Sequence, residues 1–339
     1  MPDRLRSLLD ERRVLLADGG MGTALFARGL ETGDSPELWN VDHADRVRDV
    51  HLEFIDAGSD IILTNTFGGN AYRLKLHAAE GRVAELNEAA ARVARVAADV
   101  AGRPVVVAGS IGPTGEILEP VGALAPADAE AAFQAQAEAL AAGGVDVLWI
   151  ETMSSAEELE AAVKAASSMA LPVCATMSFD TNGRTMMGLT PDAALALAHG
   201  FVPPLTGFGA NCGIGPAQLL ATLLGFSRFE RQGEVIIAKG NCGIPEYRDG
   251  AIHYTGTASI MADYALLARD AGARIIGGCC GTKGEHLAAM RQALDSTEPS
   301  GVPDIERIEA ALGPVTAAKT EPVVSQRGER RRSRSRGAA

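Results

Sequence analysis

The stretch ARIIGGCC (273–280) joins a short apolar run to two adjacent cysteines. Seven similar runs precede it, and a segment with helical character follows each of them. Their nearly continuous apolar character is typical of parallel strands that are buried on both faces. The seven runs are VLLAD (14–18), DIILTNT (60–66), PVVVAGS (104–110), VDVLWIET (145–152), PVCATMSF (172–179), TGFGANC (206–212) and EVIIAKGN (234–241).

Eight strand–helix units in a chain of 339 residues predict a single (β/α)8 barrel, the TIM barrel, rather than an open doubly wound sheet. Crossover helices are expected in the Ala/Glu-rich segments 81–100 and 126–142. We expect the barrel to occupy residues 1–296. Residues 297–339 are expected to form a C-terminal extension, with one short helix at 304–313 and then a disordered basic tail.

The charge of the chain argues against nucleic acid or a membrane as its partner. The formal net charge is −12, and the stretch 327–336 holds six Arg and one Glu, which leaves 25 basic against 42 acidic residues elsewhere. Such an acidic body repels anionic surfaces, and the Arg-rich tail is interpreted as a solubilising terminus. The chain has neither a secretory signal nor a run of about 18 apolar residues, so we predict a cytoplasmic protein.

The five cysteines favour thiolate chemistry over a disulfide framework. Their number is odd and two of them are adjacent, a pattern that suits a reducing compartment. Cys174 lies inside the apolar run 172–179 and is predicted to fill the core, because a free cysteine packs as a small hydrophobic side chain.

Polar side chains occur where the apolar runs end. In a barrel of this kind the carboxyl ends of all strands meet at one rim, which is where active sites lie. Residues far apart in sequence are therefore expected to converge there. They are Asp18, Asn65, Thr66, Ser110, Glu151, Thr152, Asn211, Cys212, Asn241, Cys242, Cys279 and Cys280.

Three of the cysteines are predicted to hold one zinc ion per chain. Glycines on both sides of Cys279 and Cys280 allow the backbone to bend so that both sulfurs point at one place, and a barrel brings the end of its sixth strand, with Cys212, within reach. Three thiolates with one open position are typical of a reactive zinc site. An iron–sulfur cluster is disfavoured because the chain has no CxxC spacing.

Six motifs in consistent order, from about residue 12 to 292, resemble the homocysteine S-methyltransferase family. That family includes betaine–homocysteine methyltransferases and the homocysteine-binding module of cobalamin-dependent methionine synthase. The motifs are LLADGGMGT (15–23), LTNTF (63–67), GSIGPTG (109–115), IET (150–152), GANCGIGP (209–216) and GGCCGT (277–282).

The resemblance implies a zinc-containing barrel that transfers a methyl group to homocysteine and forms methionine, with Cys212, Cys279 and Cys280 as zinc ligands and catalytic residues. It implies that Asp18 and Glu151 hold the amino group of homocysteine. The turn of Gly19, Gly20 and Met21 matches the segment whose backbone amides receive the substrate carboxylate. Ser110 and Asn241, at two further strand ends, are added as candidate substrate-binding residues.

The methyl donor stays open between three classes. Betaine is a quaternary ammonium compound, and such cations bind in aromatic cages. Members of the animal betaine enzymes carry Tyr where this chain has Gly68 and Thr152, so a cage would need other rings, with Trp39, Phe67, Tyr72 and Tyr247 as candidates. The alternatives are methylcobalamin on a separate partner protein and S-methylmethionine. We take the betaine class as the first expectation.

Two further alternatives concern the zinc site itself. The barrel could be a non-catalytic zinc-binding scaffold, although the acidic residues Asp18 and Glu151 beside the metal argue against this. In the segment KGNCGIP (239–245), either Cys242 or Asn241 could occupy the fourth zinc position in the resting protein, or Cys242 could point into the loop. Whether the chain turns one residue earlier or later at the strand end decides which of these side chains faces the zinc.

Overall fold

A computed structural model describes residues 3–226, 234–248 and 251–315. Among these residues eight parallel strands form one sheet, whose order starts with the first strand, continues with the last strand and then runs back along the chain to the second strand. The sheet closes on itself because Ala17 and Ile61 form a parallel bridge between the two end strands. The barrel strands are β1 (Leu15–Leu16), β2 (Ile61–Leu63), β3 (Val106–Ile111), β4 (Val147–Met153), β5 (Val173–Met177), β6 (Gly207–Cys212), β7 (Ile236–Gly240) and β10 (Ala273–Gly278).

Helices surround the barrel and confirm the predicted (β/α)8 architecture. The segments 81–100 and 126–142 coincide with two of these helices, at 83–99 and 126–143, as expected from their composition. The helices are α1 (Arg4–Glu11), α2 (Met21–Phe26), α3 (Trp39–Asp42), α4 (Ala44–Asp56), α5 (Ala71–Leu74), α6 (Val83–Asp99), α7 (Pro126–Gly143), α8 (Ala156–Ser167), α9 (Pro191–Ala198), α10 (Pro216–Phe226), α11 (Ala258–Asp270), α12 (Gly284–Ser296) and α13 (Ile305–Leu312).

The barrel interior is a packed apolar core below the rim. Trp149, Ile237 and Ile275 are fully buried in it, and Cys174 is buried with them, which confirms its predicted place in the core. A second apolar layer lies between the strands and the helices. In β6, a Cβ atom on Gly209 would lie 1.9 Å from the carbonyl oxygen of Ile237, so this strand needs a glycine to approach β7.

The short strands β1 and β2 are joined partly by side chains. Asp60 accepts a hydrogen bond from the amide of Leu16 at 2.9 Å, and Asp18 accepts one from the amide of Leu63 at 2.7 Å. These carboxylates replace backbone pairing where the barrel closes, which explains why β1 is shorter than the run 14–18 suggested.

Two elements lie outside the barrel repeat. An antiparallel hairpin, β8 (Pro245–Arg248) and β9 (Ala251–Tyr254), follows β7. Helix α13 matches the helix predicted at 304–313 and packs on α10 and α11 with Ile308 buried. The predicted disordered tail lies beyond residue 315, outside the described residues, and the domain division at 296 stays a prediction. No helix in the described ranges is both long and apolar enough to cross a membrane.

Candidate active site

A cavity of about 450 Å³ opens at the carboxyl ends of the barrel strands. This is the rim at which the sequence predicted the site. Nine of the ten predicted site residues line the cavity, and Asn241 is the exception: Asp18, Gly19, Gly20, Met21, Ser110, Glu151, Cys212, Cys279 and Cys280 lie on its walls.

Three sulfurs converge on one side of this cavity. Those of Cys212, Cys279 and Cys280 all lie within 4.8 Å of one another. Tetrahedral zinc with Zn–S bonds of about 2.3 Å places its sulfur ligands about 3.8 Å apart, so the three fit one zinc ion after small movements. Cys212 has a φ of 61°, a left-handed conformation that turns the chain at the end of β6.

The thiol groups of these cysteines influence one another's pKa values. The neighbouring thiol of Cys212, and then burial, raise the pKa of Cys279 above the usual value for a cysteine. Three thiolates this close would repel one another, so a bound cation would be needed for all three to be ionised together. The donor set therefore suits a thiophilic divalent metal.

Asn241 braces the loops that carry the cysteines. Its amide oxygen accepts a hydrogen bond from the backbone amide of Cys280 at 3.0 Å, and its amide nitrogen donates to the carbonyl of Gly213 at 2.6 Å. Its polar atoms thus connect the loop after β6 with the loop after β10. A direct role for Asn241 in substrate or zinc binding stays a prediction, and the observed contacts give it a positioning role.

Cys242 lies behind the cysteine group. It is 1% exposed, belongs to the apolar layer around the barrel, and does not join the three sulfurs that lie within 4.8 Å of one another. A Cβ atom on Gly256 would lie 2.7 Å from its sulfur, so the thiol packs against the backbone of the loop that follows β9. This geometry favours the interpretation in which Cys242 points into the loop.

Glu151 lies at a bulge near the end of β4. The strand register shifts between Ile150 and Met153, and Thr152 has a φ of 65°. Ser110 donates a hydrogen bond to Glu151 Oε1 at 2.5 Å. Burial raises the pKa of Glu151, and the charge of Lys239 together with the Ser110 hydrogen bond opposes that rise. The carboxylate is therefore buried at the cavity wall with few groups to neutralise it.

Asn211 fixes the bulge in place. Its side-chain oxygen accepts from the amide of Thr152 at 2.8 Å and from the hydroxyl of Thr176 at 2.7 Å, while its nitrogen donates to the Thr152 hydroxyl at 2.7 Å. The residue before Cys212 thus orients the neighbour of Glu151, and it connects the cysteine group with the acidic side of the cavity. The sequence placed Asn211 at a strand end but did not indicate this role.

Asp18 is paired with a residue that the sequence analysis missed. The ammonium of Lys239 lies 2.8 Å from Asp18 Oδ1, and both side chains are almost fully buried. Lys239 also lines the cavity. The signal was present in the sequence, because a lysine inside the apolar run EVIIAKGN needs a buried partner.

The turn of Gly19 and Gly20 packs tightly against the loop after β10. A Cβ atom on Gly19 would lie 2.5 Å from the carbonyl oxygen of Thr282, and one on Gly20 would lie 2.7 Å from that of Cys279. The amide of Gly20 donates to Thr282 at 3.0 Å. Among the described residues nothing accepts from the amides of Gly19 and Met21, so these two donors are available to a ligand.

Comparison with known proteins agrees with this geometry. The family model for homocysteine S-methyltransferase matches residues 15–294. Methionine synthase of Mycobacterium tuberculosis is 31% identical over 305 residues, which are 85% of this chain and 25% of that protein. The chain thus spans about a quarter of the length of that relative.

Solved structures give the same result. The homocysteine methyltransferase MmuM of Escherichia coli is 26% identical in its metallated form, with a TM-score of 0.72, and the match covers 85% of this chain and 99% of that one. Its oxidised form is 27% identical with a TM-score of 0.72, again over 85% and 99% of the two chains. The chain therefore belongs to the homocysteine S-methyltransferase family, a family of methyltransferase enzymes.

Proposed function

We propose that this protein is a zinc-dependent homocysteine S-methyltransferase that forms methionine. The observation that carries the proposal is the convergence of three sulfurs on a cavity of about 450 Å³ that also holds buried charged side chains. That the Escherichia coli relative has a metallated form supports a bound metal. A zinc-binding scaffold would need neither the cavity nor its buried carboxylates. The unpaired thiols suit the reducing cytoplasm, where we place the protein.

Cys212, Cys279 and Cys280 would hold the zinc. Bound there, zinc supplies an open fourth position that takes the homocysteine sulfur as a thiolate, the form that attacks a methyl group. Asn241 and Asn211 would keep the cysteine loops in register through the hydrogen bonds described above. Three ligands from two strand ends leave the side toward the cavity open for the substrate.

The amino-acid part of homocysteine would lie across the cavity from the sulfurs. Asp18 and Glu151 supply carboxylates for the ammonium group, and Ser110, bonded to one oxygen of Glu151, fixes the orientation of that residue. The free amides of Gly19 and Met21 would receive the carboxylate, at the start of α2. One substrate molecule is then held at its sulfur, its ammonium and its carboxylate.

Betaine is the first candidate for the methyl donor. Among the described residues that line the cavity, Phe67 is the one with a Phe, Tyr or Trp ring, and the acidic Asp34 and Glu37 line it as well. Trp39 packs against His43 instead, and Tyr72 packs against the core, so neither adds to a cage. The side chain of Tyr247 lies outside the described residues. Phe67 and these two carboxylates support a cationic donor, whereas the guanidinium of Arg73 on the same cavity opposes one.

A donor carried by a partner protein is the second candidate. Several apolar side chains on the segments that follow the barrel strands are exposed, and together they would supply apolar area for a contact with another protein. Likeness to methionine synthase points the same way. The exposed residues are Phe26 (48%), Leu76 (71%), Ile117 (50%), Val121 (72%) and Met186 (67%).

An assay with each donor in turn tests these proposals. Zinc-loaded protein and homocysteine are mixed with betaine, S-methylmethionine or methylcobalamin, and methionine is measured. We expect methionine with betaine, in equal amount to dimethylglycine. Phe67→Leu should raise the KM for betaine by about twofold to thirtyfold, while Tyr72→Phe, outside the cavity, should not. Methionine formed with methylcobalamin alone would contradict the betaine class and favour the partner-borne donor.

Cys242→Ala is expected to keep both zinc and methionine formation. The reason is that its sulfur packs against the loop at Gly256 and lies apart from the three-cysteine group. Zinc content by atomic absorption and the rate of methionine formation are the two measurements. A variant that keeps zinc but loses activity would show a role for Cys242 that the geometry does not explain.

A further inference from the structure

Arg73 is a half-buried residue of the short helix α5, and it lines the same cavity as the three cysteines. Its backbone amide donates a hydrogen bond to Asn70 Oδ1 at 3.1 Å, and Asn70 Nδ2 donates to the carbonyl of Pro113 at 3.3 Å. These bonds connect the segment after β2 with the loop after β3. They fix the position from which the arginine side chain extends.

The guanidinium of Arg73 packs on a glycine and not on an acidic side chain. A Cβ atom on Gly115 would lie 3.1 Å from Arg73 Nη1. Among the described residues the guanidinium has neither a hydrogen-bond acceptor nor an ion-pair partner. A guanidinium carries five N–H donors in one plane and binds a carboxylate through two parallel hydrogen bonds. These donors are therefore available to a ligand in the cavity.

Groups that suit a cation line the cavity beside this guanidinium. A Cβ atom on Gly112 would lie 2.6 Å from Phe67 Cδ2, so the ring lies against the loop that also contacts the guanidinium. Glu37 is 6% exposed, and its two oxygens accept from the amide of Gly68 and the hydroxyl of Ser35, each at 2.7 Å. A ring, a fixed carboxylate and an unpaired guanidinium thus face one cavity.

A ligand that carries both charges suits all three groups, whereas a simple cation would be repelled by the guanidinium. We propose that Arg73 is a specificity-determining residue for the methyl donor: it binds a carboxylate of the donor, so the donor is a small zwitterion with a cationic, methyl-bearing centre. Betaine and S-methylmethionine both have this pair of charges, and methylcobalamin has no free carboxylate. The inference rests on the proposed function, since it concerns the second substrate of that reaction.

Two sulfonium donors that differ by one carboxylate test the proposal. Dimethylsulfonioacetate has the carboxylate, and trimethylsulfonium has a methyl group in place of the carboxymethyl group. With either donor the homocysteine thiolate forms the new S–CH3 bond, one methyl–sulfonium bond breaks, and its electron pair stays on the sulfur that leaves as a neutral thioether group. The ratio of the two kcat/KM values is compared between variants, so the intrinsic reactivities of the donors cancel.

Arg73→Met is expected to lower kcat/KM for dimethylsulfonioacetate by about tenfold to a hundredfold, mainly through KM, because it removes a charge-assisted pair of hydrogen bonds. It should not lower the value for trimethylsulfonium, which the guanidinium only repels. Arg73→Lys keeps the charge but not the paired donors and should lie between. Lys75→Met is the matched control, because Lys75 is exposed on the next turn and does not line the cavity.

Zinc content, melting temperature and the dissociation constant of homocysteine are measured on each variant. If Arg73→Met does not fold, Arg73→Lys decides by the same ratio. Equal losses with both donors would overturn the inference, since they would show that Arg73 only supports the cavity wall. Weaker homocysteine binding with an unchanged donor ratio would also overturn it, because the guanidinium would then bind the carboxylate of homocysteine.

Two results with the unchanged protein separate this inference from the proposed function. Methionine formed with methylcobalamin, but with no zwitterionic donor, would overturn the inference and leave homocysteine methylation standing. A protein that neither binds homocysteine nor forms methionine with any of these donors would refute the proposed function itself, and the inference with it.

Discussion

Cys280→Ala is expected to lose its zinc and, with it, all detectable methionine formation. Two thiolates are too few protein ligands for a zinc ion that must also keep a position open for the substrate. The same result is expected for Cys212→Ala and Cys279→Ala, since all three sulfurs lie within 4.8 Å of one another. Zinc per chain and methionine formed from homocysteine are measured on protein purified without chelator.

Cys242→Ala is the matched control for this series, because it removes a buried thiol near the same loops but outside the group of three sulfurs. Its zinc content should equal that of the unchanged protein. Full zinc occupancy in Cys280→Ala would show that this residue is not a ligand.

Glu151→Gln is expected to keep its zinc but to bind homocysteine about tenfold to a hundredfold more weakly. The amide cannot form the charge-assisted hydrogen bond that a carboxylate forms with an ammonium, and such bonds are worth roughly 1.5 to 3 kcal/mol. Calorimetric titration of zinc-loaded protein with homocysteine gives the dissociation constant.

Glu158→Gln is the control for this prediction. Glu158 is also a buried acid, but it accepts hydrogen bonds from the amide and hydroxyl of Thr114 and does not line the cavity. The homocysteine affinity of the Glu158→Gln variant should equal that of the unchanged protein. Equal affinity in the Glu151 and Glu158 variants would place the substrate ammonium elsewhere.

The barrel could be predicted because parallel strands buried on both faces leave a direct record in the sequence. Each of the eight apolar runs overlaps an observed strand, including β6 with its glycines. The hairpin of β8 and β9 was not predicted, although Asp249 and Gly250 form a pair that is typical of hairpin turns. The length of β1 also depends on side chains, since Asp18 and Asp60 replace part of its backbone pairing.

The convergence of the three cysteines followed from the architecture alone, but the contacts between charged residues did not. That Asp18 faces Lys239 depends on side-chain directions across strands that are 221 residues apart. The bulge at Thr152 is a change of register, which no residue type in the IET motif indicates. The direction of Cys242 likewise depended on one turn of the chain after β7.

X-ray absorption at the zinc edge, recorded before and after addition of homocysteine, is the decisive measurement for the proposed activation of homocysteine by zinc. We expect three sulfur ligands in the resting protein, supplied by Cys212, Cys279 and Cys280, and four when homocysteine is bound, at Zn–S distances of about 2.3 Å. A sulfur count that stays at three with saturating homocysteine would contradict the claim that this site activates the substrate thiol.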